Sequence, residues 1–194
     1  MEKKKQRKLI IMQSLAAMLE ERDLLKVTTA ELAKRSEITE AAIYKHFPIK
    51  RKIFEELVVF FEDSVFTRIK VMKEESKPED FPGQLIALVL KFCETNKGFS
   101  RILTREVFTA DEVKIIDKVS NCFEKINIEI RQSLQEYERT TKKKLNLNLA
   151  ASCDLLLSCL EGQIQSFVRS KFKKDLSGSW KDQWNFLKKA IFAN

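Results

Sequence analysis

Apolar positions recur at spacings of three and four along most of the chain, a period that predicts helices rather than strands. A first helix is predicted over 6–23, with Ile11, Leu15, Met18 and Leu19 on one stripe. Two short helices joined by a tight turn follow within 28–47. Thr28 and Glu31 have the spacing of a capping box, Ser36-Glu37-Ile38 form the turn, and Thr39 caps the second helix. Leu32 and Ala33 face inward in the first. Ile43 and Phe47 share a face in the second, which leaves Thr39, Glu40, Ala41, Tyr44 and Lys45 pointing outward. Pro48 ends that helix, because the residue before a proline is pushed away from the helical region.

A long fourth helix, 49–73, carries Phe54, Leu57, Val58, Phe61, Val65, Ile69 and Met72 on one stripe. Phe60 and Phe66 lie off it, either covering a neighbouring helix or forming a partner surface. Residues 74–82 are a linker, with Ser76, Pro78 and Pro82. Further helices are predicted over 83–95, 99–108, 111–139, 145–172 and 179–192. Asn96-Lys97-Gly98 is the break after the strongly apolar fifth helix. The 145–172 helix is apolar well beyond a single 100° stripe, which suits a central core helix or one shared between subunits. The second reading is favoured. Phe123, Ile130, Leu149, Leu156, Leu160, Ile164 and Phe167 are then the dimer-interface candidates, in a four-helix arrangement with a second copy. Trp180, Trp184, Leu187 and Ile191 pack the last helix back. The expected architecture is all-α, about nine helices. In the head over 1–52 a buttressing helix, a tight turn and a second helix with an outward polar face have the layout of a DNA-binding helix-turn-helix; a larger helical domain over 53–194 follows, and the fourth helix links the two.

Composition agrees. With 4 Gly and 3 Pro in 194 residues, long uninterrupted elements are expected. The net charge is +8, and residues 1–52 hold 13 Lys and Arg against 7 Asp and Glu. The excess positive charge therefore sits on the segment whose second short helix would enter a major groove, as suits a phosphate backbone. The basic residues 2–8 are either a solvated terminus or an arm near DNA phosphates.

Cys93, Cys122, Cys153 and Cys159 contain no C-x-x-C, and there is a single histidine, so no metal site is expected. The cysteines lie in apolar stretches, a cytoplasmic pattern of usage. No signal peptide is read at the start, and no uncharged stretch suggests a membrane span. With no Gly-rich phosphate loop and no nucleophile elbow, an enzyme is not expected, nor a cofactor.

Thr28-Thr29, Leu32-Ala33, the Thr39 cap, Ile43-Tyr44-Lys45-His46-Phe47 and then Lys50 resemble the TetR family of DNA-binding regulators. The resemblance implies an all-helical homodimer. It also implies phosphate contacts from Tyr44, His46, Lys50 and Thr28 or Thr29, and base contacts from Thr39, Glu40 and Ala41 in the first turn of the recognition helix. Lys45 lies on the same outward face.

The similarity extends through Phe60-x-Glu62-Asp63-Ser64, Thr67-Arg68-Ile69, Phe99–Thr104, Glu161-Gly162 and Ser166–Lys173, which resemble the division-inhibiting members of that family. These bind palindromic sites across the nucleoid and, on DNA, the C-terminal tail of FtsZ. That implies Phe60, Arg68, Leu88, Lys91 and Asn96 as tail-binding positions. A guanidinium and an aromatic ring suit an acidic, apolar peptide.

The sequence departs from the pattern at four places. Glu37 stands where the turn usually has Gly, Ile49 where a Ser caps the fourth helix, Lys91 where a glycine stands, and Thr95 where an arginine stands. The alternative function is a transcriptional repressor answering a small ligand. Large apolar residues on the fifth helix, Leu85, Leu88, Val89 and Phe92, favour a filled core over a ligand cavity.

Overall fold

The computed structural model describes residues 2–21 and 27–193. The described residues form α1 (Glu2–Glu20), α2 (Thr29–Arg35), α3 (Glu40–His46), α4 (Lys50–Glu75), α5 (Phe81–Thr95), α6 (Lys97–Leu103), α7 (Val113–Thr141), α8 (Leu149–Arg169) and α9 (Leu176–Ile191). They contain no strand, and a single bridge pairs Leu145 with Phe192. The chain divides into two compact units, one of residues 1–61 and 96–119, the other of 62–95 and 120–194. In this division α4 and α7 each contribute to both units, and α6 falls in the unit that holds α1, α2 and α3.

In the first unit the predicted stripes close one core. Ile11, Leu15, Met18 and Leu19 of α1 are buried with Leu32, Ile43, Phe47, Phe54, Leu57 and Phe61. Ile53, which the pattern did not single out, is buried with them. α6 lies on α1, and Gly98 allows it. A Cβ at Gly98 would stand 2.0 Å from the Ala16 carbonyl oxygen. Gly98 is thus a packing residue inside α6 rather than the end of α5, and α6 is correspondingly displaced from 99–108 to 97–103. The Phe61 and Phe99 rings stack at 5.3 Å, and Phe54 meets Phe108 edge-on at 5.4 Å. The expected last residues of the first helix, 22 and 23, lie outside the described residues.

In the second unit α5 packs against α8 and α9. It buries Phe81, Leu85, Ile86, Val89, Leu90, Phe92 and Cys93, while Leu88 is half-buried. Pro82, expected in the linker, occupies the first turn of α5, where its missing N–H costs no helical bond. The Trp180 indole donates to the Gly83 carbonyl at 2.9 Å. α4 and α7 are tied by Lys73 to Glu129 and Lys125 to Glu62, each at 2.6 Å. None of the four cysteines forms a disulfide among the described residues. Burial, with the neighbouring Glu62 carboxylate, pushes the Cys122 thiol up to about 12.

Helix α8 starts at 149 because Asn148 caps it, its side chain accepting from Ala151 N at 2.9 Å. It ends at Arg169, and Lys171 and Phe172 then adopt positive φ. α9 begins earlier than expected, at 176.

The dimer-interface candidates have the following surroundings in a single chain. Phe123, Ile130, Leu156, Leu160, Ile164 and Phe167 are all buried within one chain, and Leu149 is half-buried. The apolar stripe of α8 seals the core of its own unit. What α8 and α9 expose instead includes Leu155 and Phe186, with open space around Gly162.

Candidate nucleic-acid interface

The α2–turn–α3 segment is held by its own caps. Thr28 Oγ1 accepts from Glu31 N at 3.2 Å and Thr39 Oγ1 from Ala42 N at 3.2 Å. The reciprocal half of the capping box is not formed. Glu31 turns to Arg35 at 3.4 Å, and Arg35 also pairs with Glu21 at 2.6 Å. The turn closes with the two bonds of a Schellman motif, Ile38 N to Ala33 O at 3.1 Å and Glu37 N to Lys34 O at 3.2 Å. Glu37 takes φ 54 there, a left-handed conformation that costs a side-chain-bearing residue about 1–2 kcal/mol. The fold keeps the turn and accepts that strain.

α3 buries Ile43 alone among its seven residues, and Phe47, its C-cap, is buried beneath it. Thr39, Glu40, Ala41, Tyr44 and Lys45 are exposed together on the outer side. Thr28 is exposed, whereas Thr29 and His46 are half-buried. The outward face predicted for α3 is therefore present.

Lys50 behaves differently. Its ammonium donates to the Val27 carbonyl, lies 5.9 Å from the Phe54 ring centroid, and is half-buried. Burial lowers its pKa, and Glu112 opposes the shift. Reaching a phosphate would require this side chain to leave the Val27 carbonyl. No local pattern signals this tether, because it spans 23 residues.

The five tail-binding candidates are divided between the units. Phe60, exposed, and Asn96, half-buried at the start of α6, fall in the first; Arg68, Leu88 and Lys91 fall in the second. Arg68 and Lys91 are exposed. Lys91 sits 3.3 Å from Glu94, while Thr95 donates to the Lys91 carbonyl at 3.0 Å.

Glu94 is the feature that pattern reading missed. Its carboxylate accepts from Leu176 N at 2.8 Å, Ser177 N at 2.9 Å and Ser177 Oγ at 2.5 Å, clasping the N-terminus of α9. Burial alone would raise its pKa, but these donors and Lys91 outweigh it and hold the carboxyl at about 2. The partners lie more than eighty residues away, beyond any local motif.

Among the described residues no group of three His, Cys, Asp or Glu could hold a metal ion, and no helix is long and apolar enough to cross a membrane.

A helix-turn-helix with an exposed recognition face, on an all-helical chain, defines a bacterial DNA-binding regulator. The model of the bacterial regulatory proteins, tetR family, matches residues 11–57. The SlmA-like model, Tetracyclin repressor-like, C-terminal domain, matches residues 83–191. The chain belongs to the TetR family, on the branch of the SlmA-like proteins. It is 35% identical to the nucleoid occlusion factor SlmA of Marinomonas sp. over 99% of this chain and 98% of that one. It is 37% identical to that of Shewanella pealeana over 93% and 92%. Among solved structures, the transcriptional regulator FadR from Bacillus subtilis in complex with stearoyl-CoA shares the fold. Its TM-score is 0.74 at 14% identity, covering 95% of this chain and 99% of that one.

Proposed function

We propose that this protein is a nucleoid occlusion factor. Bound as a homodimer to palindromic DNA, it binds the C-terminal tail of FtsZ and antagonises assembly of the division ring over the nucleoid. The observation that carries this is the near-full-length similarity to nucleoid occlusion factors in a chain whose α3 keeps its outer face exposed. Thr39, Glu40 and Ala41 supply the base-facing turn, and Thr28, Thr29, Tyr44, Lys45, His46 and Lys50 the backbone contacts. Phe60, Arg68, Leu88, Lys91 and Asn96 are the tail-binding positions. The homodimer uses the exposed sides of α8 and α9, around Leu155, Gly162 and Phe186, in place of the buried α8 stripe.

The test is binding of the FtsZ tail peptide with and without a palindromic duplex recognised by the relatives, at one fixed salt concentration. DNA and peptide should each raise affinity for the other by the same factor, since coupling between two bound states is reciprocal. DNA binding with no peptide binding at any concentration would overturn the FtsZ reading. Release of DNA by an acyl-CoA would replace it with a ligand-responsive repressor.

A further inference from the structure

The first turn of α4 breaks a local rule. It opens with three consecutive cations, Lys50, Arg51 and Lys52, and contains no acidic residue. A helix N-terminus carries partial positive charge, so cations there are disfavoured. Such breaches cluster at functional sites. Here compensation comes from one carboxylate a turn further on. Glu55, its side chain only 11% exposed, pairs with Lys52 at 2.5 Å and Arg51 at 3.5 Å.

A third cation acts on the same carboxylate from a distant part of the chain. Lys118 of α7 interacts electrostatically with Glu55, and Glu112, just before α7, does so with Lys50. Both belong to the same compact unit as the head. The Phe54 ring of α4 meets Phe108 edge-on at 5.4 Å, so the segment leading into α7 packs on the opening turns of α4. Burial pushes the Glu55 carboxyl up, and Lys52, Lys118 and Arg51 together bring it below its ordinary value, so it is ionised at neutral pH. Three cations around one anion leave a local excess of two positive charges. Lys52 and Lys118 are exposed and Arg51 is half-buried. α4 begins only four residues after α3 ends, which puts this excess next to the recognition helix.

We infer that Lys52 and Lys118, gathered with Arg51 around Glu55, form a second phosphate-binding surface that contacts the DNA backbone beside the helix-turn-helix. The inference rests on the reading of the head as DNA-binding and extends the footprint onto α7, outside the recognised motif. Phosphate contacts carry no sequence information, so this surface adds affinity equally to a cognate palindrome and to a scrambled duplex. Glu55 is a positioning residue that keeps the cations together without touching DNA.

The experiment measures binding of the full chain to both duplexes by fluorescence anisotropy across a salt series, for Lys52→Ala, Lys118→Ala and, as a charge-matched control in the other unit, Lys143→Ala. Lys52→Ala and Lys118→Ala should each weaken both duplexes about five- to tenfold near 0.1 M salt. Each should reduce the slope of log affinity against log salt by about 0.9. Lys143→Ala should change neither. Lys118→Ala matching the Lys143→Ala control, with its thermal midpoint unchanged, would overturn the inference while leaving the helix-turn-helix intact. Wild-type protein binding neither duplex would overturn both.

Discussion

α3 and α8 solve opposite problems with the same periodicity. α3 has seven residues and buries one of them, Ile43; α8 has twenty-one and buries eight. An isolated seven-residue helix is far below the length at which a helix persists in water. α3 survives because its ends are tied: the Thr39 hydroxyl accepts from Ala42 N, and Phe47 is anchored in the core beneath it. That arrangement leaves the outer face with no packing duty, so Thr39, Glu40, Ala41, Tyr44 and Lys45 are at the disposal of a partner. α8 does the reverse, spending its stripe on the core of its own unit and exposing Leu155 among its large apolar residues, with an open flank at Gly162. Amphipathicity alone therefore does not distinguish a helix that binds from a helix that holds.

The sharpest way to break that contrast is a pair of substitutions. Leu156, fully buried in α8, should cost about 2–5 kcal/mol of stability when changed to Ala, through lost transfer energy plus a cavity. The folded fraction should retain its DNA affinity. Ala41→Glu places a charge on the exposed face of α3, where it should weaken site binding at least about 100-fold, near 2.7 kcal/mol, while the thermal midpoint stays put. Chemical denaturation and anisotropy read the two effects separately. If Leu156→Ala instead left stability unchanged and produced monomers, the stripe would belong between subunits after all.

A second contrast lies in how helix N-termini are satisfied. α2 and α3 use a threonine three residues from its donor. α9 uses the local Asp175 and also Glu94 from α5. The distant tie is the one with a pH signature. Glu94, side chain 18% exposed, titrates near 2 in the folded chain against an ordinary value of 4.5. A depressed carboxyl stabilises the fold fully above its unfolded value and loses that contribution as pH falls through its folded value. Stability should therefore decline between pH 4.5 and 2, by up to about 3 kcal/mol from this group. Glu94→Gln should be less stable at pH 7 and show a flatter decline over that window in urea unfolding. An unchanged pH profile in the variant would mean that Glu94 does not clasp α9 in solution.

These contrasts also show what the sequence could reveal. The caps at Thr28 and Thr39, the stop at Phe47-Pro48 and the stripes of α1, α4 and α7 follow from spacings of three and four, so they were legible. The outward face of α3 was legible for the same reason. Gly98 was misread because a glycine after an apolar helix looks like a terminator. Only the approach of Ala16, 82 residues earlier, shows that it is a packing surface. The Lys50 tether to Val27, the Glu94 clasp and the approach of Lys118 to Glu55 all join residues distant in sequence, and no period encodes them. The α8 stripe was legible as apolar, but not which side covers it, since burial against one's own chain and against a copy write the same pattern.

The smallest effect tests the turn between α2 and α3, where function and local geometry pull apart. Glu37 holds φ 54 at the position after the α2 C-cap, a site where glycine is usual because it lacks a Cβ. Glu37→Gly removes the left-handed strain but adds freedom to the unfolded chain, so the net gain should be at most about 1 kcal/mol. The turn bonds from Ile38 N and Glu37 N should persist, since both are backbone bonds. The same change removes an exposed negative charge close to the DNA-facing helix, and affinity for cognate and scrambled duplexes should rise together by a few-fold. A rise in stability with no rise in affinity would place Glu37 away from the phosphates and require the head to dock at a different angle. A loss of stability would mean that the glutamate side chain supports the turn in a way that outweighs its strain.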